Sequence, residues 1–364
     1  MFNSERGILI NGSAHYTQKV KMLPKTYNIA VLKGDGIGPE VTDATVNVLE
    51  ALQDSTENLN FNFLYGEAGY HCIAKYGTNL PEETVALLKR TDACLKGPMT
   101  TPEEPGAPVS AAVKIRKKFN LYANVRPCRS YPNVDALKPN IDLVVVRENT
   151  EGMYSGVEYK ISPGVAVAMR IITEKASALV AEYAFKLAEK RRKRLTYVHK
   201  ANILRVTDGV FNDAVKAAAK NHPDVTVEDV HIDAMAMHLI KKPETYDVIV
   251  TTNLFGDVIS DEAAQVTGSL GLAAGANIGG SYGMFEPVHG SAPKYTGMNR
   301  VNPTATIMAV QMMMDYLGEK EAAAKIETAV MQVLKEGEVR TKDLGGSSTT
   351  SEMSDAIASK VRAL

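Results

Sequence analysis

Short apolar runs alternate with amphipathic stretches along most of the chain from Tyr27 onward. The runs have the length and composition of buried strands, and they are Ile29–Leu32, Asn60–Leu64, Ile141–Val146, Leu195–Val198, Val225–Val230 and Asp247–Thr251. Between most of them apolar residues recur with a helical period, over Pro39–Asp54, Pro81–Arg90, Glu174–Arg192 and Val206–Lys220. Alternating strands and helices predict an α/β protein built on a mostly parallel central sheet.

The pattern becomes mostly helical in the last third of the chain. The longest candidates are Asp257–Thr267, Pro303–Leu317 and Glu319–Glu336, and a Gly-rich passage from Gly268 to Gly290 separates the first from the others. We therefore expect the C-terminal third to pack helices onto a sheet that the preceding chain has already built.

Charge and hydrophobicity exclude several classes of function. The 364 residues include 41 Lys and Arg against 42 Asp and Glu, for a formal net charge of -1, and 45% are hydrophobic. A chain of this balance has no broad positive field for nucleic acid. It also lacks the run of about 18 apolar residues that crosses a membrane. We expect a globular protein that binds neither nucleic acid nor membrane.

The cysteines indicate the compartment. Cys72, Cys94 and Cys128 are odd in number and form no C-x-x-C pair, so they predict neither a disulfide framework nor a zinc knuckle. A reducing cytoplasm fits best. Residues 1–26 lack the apolar core of a signal peptide and are interpreted as an N-terminal extension.

A glycine-rich motif, Gly34-Asp35-Gly36-Ile37-Gly38-Pro39-Glu40, follows the first predicted strand and opens a helix. Its spacing differs from the dinucleotide fingerprint G-x-G-x-x-G, because the third glycine comes one residue early and Pro39 occupies the first helical turn. The motif alone leaves two interpretations open: a phosphate-binding loop, or a tight turn without a ligand.

Charged residues gather where predicted strands end. Arg147, Lys200 and Asp233 each follow a strand, at the end where open α/β sheets bind their ligands, so we expect one shared cleft. Asp257 and Asp261 are four residues apart on a predicted helix, and with Asp233 they offer three carboxylates to a hard divalent cation.

Three arginines and a serine form a second constellation. Ser110 precedes Arg116 by six residues, and Arg126 follows ten residues later. Arg116, Arg126 and Arg147 are each suited to bind a carboxylate through two parallel hydrogen bonds. Ser110 is also placed to cap a helix. Arginines beside aspartates indicate a small polyanion bound next to a metal ion.

Six motifs in order resemble the signatures of one enzyme family. They are Gly34–Glu40, Leu121–Pro127, Arg147–Gly156, His199–Asn202, Asn253–Asp257 and His289–Pro293. From about Tyr27 to the C-terminus the chain resembles the metal-dependent β-decarboxylating dehydrogenases, the family of isocitrate, homoisocitrate, isopropylmalate and tartrate dehydrogenases. It most resembles the short isocitrate dehydrogenases, through Tyr154-Ser155-Gly156 and the segment that follows.

The resemblance implies a fold and an assembly. The family's fold is not a true Rossmann fold, and its large domain would comprise residues 1–122 and 268–364. The small domain would comprise 123–267, with a dimer clasp near 152–172. Members form homodimers with shared active sites, so Lys200 and Asp233 of one subunit would serve Tyr154, Asp257 and Asp261 of the other.

The resemblance also implies the chemistry. Such enzymes transfer a hydride from a 2-hydroxy acid to NAD or NADP and then release carbon dioxide. Asp233, Asp257 and Asp261 would hold Mg or Mn as the Lewis acid. Lys200 would take the hydroxyl proton and Tyr154 would protonate the enol carbon. The substrate's carboxylates would bind the residues Ser110, Arg116, Arg126 and Arg147.

Two short segments indicate which substrate and which nucleotide the enzyme prefers. Isocitrate dehydrogenases typically have S-x-N-x-x-x-R before the first arginine, and here Ser110 is kept while Ala112 replaces the asparagine. We expect isocitrate, with homoisocitrate or another 2-hydroxy diacid (isopropylmalate or tartrate) as the alternative. A second alternative is a non-catalytic regulatory subunit of an isocitrate dehydrogenase.

For the nucleotide, Lys294-Tyr295 stands where NAD-dependent relatives usually place Asp-Ile, which predicts NADP, with NAD as the alternative. Other cofactor-binding residues implied by the resemblance are Thr100, His289, Gly290 and Asn302.

Overall fold

The computed structural model describes residues 25–104 and 106–364. Nearly all of the expected extension at 1–26 therefore lies outside the described residues. Within the described residues the strands are β1 (Lys25–Leu32), β2 (Leu59–Gly66), β3 (Ala93–Lys96), β4 (Ala123–Arg129), β5 (Asp142–Glu148), β6 (Glu158–Ser162), β7 (Val165–Ala168), β8 (Arg194–His199), β9 (Thr226–His231), β10 (Val248–Thr251), β11 (Ala274–Ile278) and β12 (Gly283–Pro287).

Most of the α-helices up to β10 lie between strands, except from β4 to β7, and helices dominate after β12. They are α1 (Gly38–Asp54), α2 (Cys72–Tyr76), α3 (Glu82–Leu88), α4 (Ala111–Lys118), α5 (Glu174–Glu189), α6 (Thr207–Ala219), α7 (Ile232–Lys241), α8 (Asn253–Val266), α9 (Thr304–Tyr316), α10 (Lys320–Glu336) and α11 (Thr350–Ala363). By the sequence patterning alone α8 was expected to begin at Asp257, but it begins one turn earlier at Asn253. In the described part of the chain, no helix combines the length and apolar character needed to span a membrane.

Ten of the strands form one sheet in the order β2-β1-β3-β12-β11-β4-β5-β10-β8-β9. Strand pairs on both flanks are parallel, whereas β11 is antiparallel to β12 and β4, and β4 is antiparallel to β5. The expected α/β fold with a mostly parallel sheet is confirmed. The antiparallel pairs lie at its centre, so the two parallel flanks run in opposite directions.

The Gly-rich passage corrects one expectation. It contributes β11 and β12 to the middle of the sheet, so the C-terminal third adds strands as well as helices. Both strands are buried along their full length, so they lack the alternation that marks a half-exposed strand, and β11 is also rich in small residues. Their long-range pairing with β3 and β4 decides their structure.

Both faces of the sheet are covered by helices. Alternate residues of β1 belong to different apolar clusters, Ile29 and Val31 to one and Ala30 and Leu32 to the other. Helices α1, α5, α6, α9, α10 and α11 pack into the first cluster. Helices α3 and α4 cover the opposite face at one flank, and α7 and α8 cover it at the other. The predicted division into 1–122 with 268–364 and 123–267 stays a prediction.

A separate antiparallel ribbon of β6 and β7 lies within the expected clasp at 152–172. It carries large apolar side chains that are exposed in the single chain, among them Tyr159, Ile161 and Val165. An exposed apolar ribbon of this kind is typical of a segment that packs against another surface.

Candidate active site

The antiparallel centre of the sheet forms the floor of a cavity of about 460 Å³. Asn124 and Arg126 of β4, Arg147 of β5 and Glu286 of β12 project into it. In register, Arg147 lies opposite Asn124, and Glu286 lies opposite Gly275, whose missing side chain leaves space above β11. Helices α4 and α8 form the walls. The site thus lies on a face of the sheet.

The cavity has a net positive charge. Its charged lining comprises four cations, Lys96, Arg116, Arg126 and Arg147, against the two carboxylates of Asp257 and Glu286. All four cations are buried. A site with an excess of buried positive charge is suited to a small polyanion.

Two of the predicted arginines are held by the predicted metal-binding helix. Arg126 Nη2 lies 3.1 Å from Asp257 Oδ1, and Arg126 Nη1 lies 2.8 Å from Asp261 Oδ1. Arg147 also donates to Asp257. Burial and the neighbouring Arg126 lower the pKa of Arg147 to about 10. Burial opposes ionisation of Asp257, but Arg147 and Arg126 outweigh it and hold its pKa below the ordinary value.

Tyr154 lies at the same cluster. It belongs to the short 3-10 helix Met153–Ser155 that follows β5, and its hydroxyl donates to Asp257 Oδ2. The guanidinium of Arg147 stands 4.9 Å from the centre of its ring. Burial raises the pKa of Tyr154, so the phenol stays protonated at neutral pH and remains a proton donor.

The third arginine has a different partner. Arg116 Nη2 lies 2.7 Å from Glu286 Oε1, and Lys96 Nζ lies 2.6 Å from Glu286 Oε2. Asn277 donates a further hydrogen bond to this carboxylate, at 2.8 Å. Sequence reasoning missed Lys96 and Glu286. The available signal was a charged residue inside each of two apolar strands, where a charge is buried only with a partner.

Ser110 occupies the N-cap position of α4, but its side chain makes no capping hydrogen bond. The capping role expected as one possibility is therefore not observed, and the residue lines the cavity instead. Around it the wall is apolar, formed by Met99, Val109, Ala112 and Val113.

A second cavity of about 760 Å³ adjoins the first, and His289 and Gly290 line both. Of the other predicted nucleotide residues, Tyr295 and Asn302 line it. Lys294 is exposed and lies outside the lining, with its ammonium 4.9 Å from the ring centre of Tyr295.

Two cations that were not among the predicted site residues, Arg300 and Lys342, line this second cavity. The guanidinium of Arg300 lies 5.4 Å from the ring centre of Tyr295. Burial lowers the pKa of His289, so this side chain is neutral at neutral pH. Thr100 lies outside both linings, and its hydroxyl is 2.7 Å from that of Ser291.

The glycine motif forms a tight turn that packs against the loop of the second cavity. Gly36 has φ 61°, and a Cβ there would lie 2.0 Å from the carbonyl oxygen of Ser291. Gly34 is equally close to Pro98, since a Cβ would lie 2.1 Å from its carbonyl oxygen. These glycines permit close approach of protein backbone, which favours the interpretation of a tight turn.

Two predicted site residues lie apart from the first cavity. Lys200 Nζ pairs with Asp233 Oδ1 at 2.5 Å, and neither residue lines the cavity that contains Arg147 and Asp257. Among the described residues of one chain, Asp233, Asp257 and Asp261 do not form a group able to hold one ion. The expected shared cleft is therefore wrong for a single chain.

The donor chemistry of the aspartates still fits a divalent ion. Asp257 and Asp261 present carboxylate oxygens, the ligands that Mg²⁺ and Mn²⁺ prefer. Asp261 is half exposed at its side chain, and burial raises its pKa. These two residues would hold such an ion beside the arginine cluster, and further ligands must come from outside this cavity.

Of the two adjoining cavities, one is lined by buried arginines suited to a small acid and the other is large enough for a nucleotide. The model of the isocitrate/isopropylmalate dehydrogenase family matches residues 28–357, and the chain belongs to this family. The resemblance expected from the motifs is confirmed. The protein is a β-decarboxylating dehydrogenase that uses NAD or NADP and a divalent metal ion.

Individual relatives are similar over nearly their full length. The 3-isopropylmalate/3-methylmalate dehydrogenase of Methanocaldococcus jannaschii is 47% identical, over 92% of this chain and 99% of the relative. The isocitrate/homoisocitrate dehydrogenase of Thermus thermophilus is 46% identical, over 93% and 99%. The crystal structure of isocitrate dehydrogenase from Methylococcus capsulatus matches with a TM-score of 0.88 and 42% identity, over 92% and 99%. The relatives differ in substrate.

Proposed function

We propose that this protein oxidatively decarboxylates a malate with an alkyl group at C3, with 3-isopropylmalate as the leading substrate. The observation that carries the proposal is the apolar wall beside Arg116, made by Met99, Val109, Ala112 and Val113. Ala112 stands where isocitrate enzymes typically present an amide. An alkyl group is more favourably buried against this wall than a third carboxylate, which would lose its hydration there. Relatives named as isopropylmalate dehydrogenases support this choice over our first expectation, isocitrate.

Isocitrate or homoisocitrate is the second candidate. The specific observation in its favour is Ser110, whose hydroxyl makes no capping bond and belongs to the same wall. It is positioned to donate to a carboxylate on the C3 substituent. The Thermus relative, named an isocitrate/homoisocitrate dehydrogenase, supports this alternative.

The buried arginines would orient the substrate. Arg116, Arg126 and Arg147 each present a planar fork that matches a carboxylate. A Mg²⁺ or Mn²⁺ ion, when bound, would polarise the C2 oxygen and stabilise the enolate left by loss of carbon dioxide. Lys200 would accept the proton of the C2 hydroxyl. Tyr154, protonated at neutral pH, would deliver a proton to the enol carbon.

The complete site requires a homodimer. Lys200 and Asp233 lie outside the cavity of their own chain, and a second copy would supply them. Support comes from exposed apolar side chains on α7 and α8, including Met237, Ile240 and Val258, in addition to the exposed β6–β7 ribbon. Apolar surface on two neighbouring helices is typical of an oligomer interface.

NADP is the proposed nucleotide. Arg300 and Lys342 in the second cavity, with Lys294 at its rim, provide positive charge for the 2'-phosphate of NADP. Asp343 also lines the cavity, but its carboxylate already accepts hydrogen bonds from Ser269, Asn302 and Thr341. An acid engaged in this way repels a phosphate less than one that faces it directly.

A kinetic matrix tests these assignments. The purified chain is assayed with 3-isopropylmalate, isocitrate, homoisocitrate and tartrate, each with NAD and with NADP, in Mg²⁺ and after metal removal. We expect the highest kcat/KM for 3-isopropylmalate with NADP and no turnover without metal. A higher value for isocitrate or homoisocitrate would contradict the alkyl assignment. Absence of turnover with every pair would support the regulatory-subunit alternative.

A further inference from the structure

A second set of metal-ligating side chains lies outside both cavities, at the turn between β2 and α2. Glu67, His71 and Cys72 bring a carboxylate oxygen, an imidazole nitrogen and a sulfur within 4.8 Å of one another. Within residues 25–104 and 106–364, they are the one group of three His, Cys, Asp or Glu side chains with this geometry. Nothing in the proposed reaction uses them.

Asp35 fixes the orientation of the imidazole. Its Oδ1 lies 2.7 Å from His71 Nδ1, and its carboxylate also accepts the backbone N–H groups of Tyr70, His71 and Thr100. A carboxylate that accepts these bonds assigns the hydrogen of the neutral ring to Nδ1. Nε2 is then the ring nitrogen that a metal would bind, in place of any proton shared with Glu67. A carboxylate behind a histidine ligand is the arrangement that orients histidines at metal sites.

The other two ligands lie close to Nε2. His71 Nε2 lies 2.9 Å from Glu67 Oε2 and 3.3 Å from Cys72 Sγ. Tetrahedral zinc, with bonds of about 2.0–2.3 Å, separates neighbouring donor atoms by about 3.3–3.6 Å. Both distances to Nε2 are within a few tenths of an ångström of these separations, and the donor atoms of Glu67 and Cys72 lie within 4.8 Å of each other.

The ion would enter from the solvent side. The side chains of Glu67 and His71 are about half exposed, at 57% and 46%, whereas Cys72 is buried beneath them. Asp35, Glu67 and His71 line a surface cavity of about 520 Å³. This arrangement gives three protein ligands and an open position for water.

We propose that Glu67, His71 and Cys72 bind a zinc ion, with Asp35 as the outer carboxylate that orients His71. A set of one oxygen, one nitrogen and one sulfur favours Zn²⁺, and it disfavours Mg²⁺ and Mn²⁺. The aspartates of the active site offer only oxygen and have the opposite preference. Because their donor atoms differ, the two sites of one chain are expected to bind different metals, zinc at Glu67, His71 and Cys72 and Mg²⁺ or Mn²⁺ at the aspartates.

Zinc at this site would stabilise the loop beside the second cavity. Asp35 receives the amide of Thr100 at 2.8 Å, the Thr100 hydroxyl contacts Ser291, and Ile37 donates to the Ser291 carbonyl. A ligand that binds only the folded state raises the free energy of unfolding.

Cobalt substitution tests the proposal, because a thiolate bound to Co²⁺ gives a charge-transfer absorption that oxygen ligands do not. Metal-free full-length protein is titrated with Co²⁺ in excess Mg²⁺, which occupies the aspartates. We expect this absorption at one Co²⁺ per chain, its loss in Cys72→Ser, and its retention in Cys128→Ser, a matched change of another buried thiol. No absorption in the wild type, or an unchanged absorption in Cys72→Ser, overturns the proposal.

A second variant covers the case in which Cys72→Ser fails to fold. Glu67 is exposed, so Glu67→Gln should preserve the fold while it weakens zinc binding by at least about tenfold, measured by competition with a chelator. Zinc should raise the thermal midpoint of the wild type more than that of the variant. Equal zinc affinity in the two proteins overturns the proposal. These readouts do not depend on substrate turnover, so they are independent of the proposed function.

Discussion

Replacing Glu286 by glutamine would leave two buried cations without their shared counter-charge. Lys96 and Arg116 retain only 4% and 10% of their side-chain exposure, and Glu286 retains 8%. Removing one partner of a buried ion pair costs about 3–5 kcal/mol, because the remaining charge is desolvated and unpaired. We expect Glu286→Gln to lower the free energy of unfolding by about this amount.

Urea unfolding followed by circular dichroism measures this loss. Glu336→Gln is the matched control, because Glu336 pairs with Lys360 at 2.6 Å while both side chains are a third or more exposed. Exposed pairs contribute at most about 1 kcal/mol. We therefore expect the control to change stability by about 1 kcal/mol or less. A loss for Glu286→Gln as small as that of the control would refute the reasoning.

The pH dependence provides a second check. Burial opposes ionisation of Glu286, but Lys96 and Arg116 hold its pKa far below the ordinary value. The folded-state pKa is thus lower than the unfolded-state pKa, near 4.3 for an ordinary glutamate. The stabilisation is then complete above about pH 5 and is lost as the pH falls toward the folded-state pKa. The difference between wild type and Glu286→Gln should be constant at neutral pH and shrink in acid.

Three further predictions concern substrate, nucleotide and assembly. Ala112→Asn should raise the ratio of kcat/KM for isocitrate over 3-isopropylmalate by about tenfold, since it adds an amide to the wall; an unchanged ratio means that the C3 substituent does not contact α4. Arg300→Gln should lower kcat/KM for NADP about tenfold relative to NAD, about 1.4 kcal/mol; equal losses for both nucleotides would contradict a phosphate contact. A Lys200→Met chain reassembled with a Tyr154→Phe chain should regain part of the activity, because one site of the hybrid dimer receives neither change; no gain in verified heterodimers would contradict shared sites.

The fold was predictable where the chain repeats a local pattern. All six expected strands are present, five of them within one or two residues of their expected ends, while β1 begins four residues earlier than expected. Apolar runs between helical stretches can be recognised without knowledge of distant partners. Six strands were missed by the patterning: β6 and β7 form the separate ribbon, and β3, β4, β11 and β12 are adjacent at the centre of the large sheet. Long-range pairing determines their structure, and periodicity does not report it.

In the candidate site too, residues in local motifs were predictable and residues brought together by long-range strand pairing were not. Arg126, Arg147, Tyr154 and Asp257 stand in motifs whose order along the chain is readable, and they meet in one cavity. Lys96 and Glu286 are separated by about half of the chain and become neighbours through the parallel pairing of β12 with β3. The spacing of residues along the sequence does not predict the contact between Lys96 and Glu286.

The arginines and aspartates of this site form ion pairs with one another, and this sets a condition on ligand binding. Asp257 Oδ1 accepts from both Arg126 and Arg147, so a metal ion at that oxygen competes with two guanidinium groups. A dianionic substrate would compete with Asp257 for the same two guanidinium groups. If each ligand bound alone, it would leave buried charges without partners, which is costly. With both present, the arginines would pair with the carboxylates of the substrate, and the aspartates would be free to hold the ion. Charge balance in this cavity therefore favours simultaneous binding of ion and substrate, and each should raise the affinity of the other by the same factor.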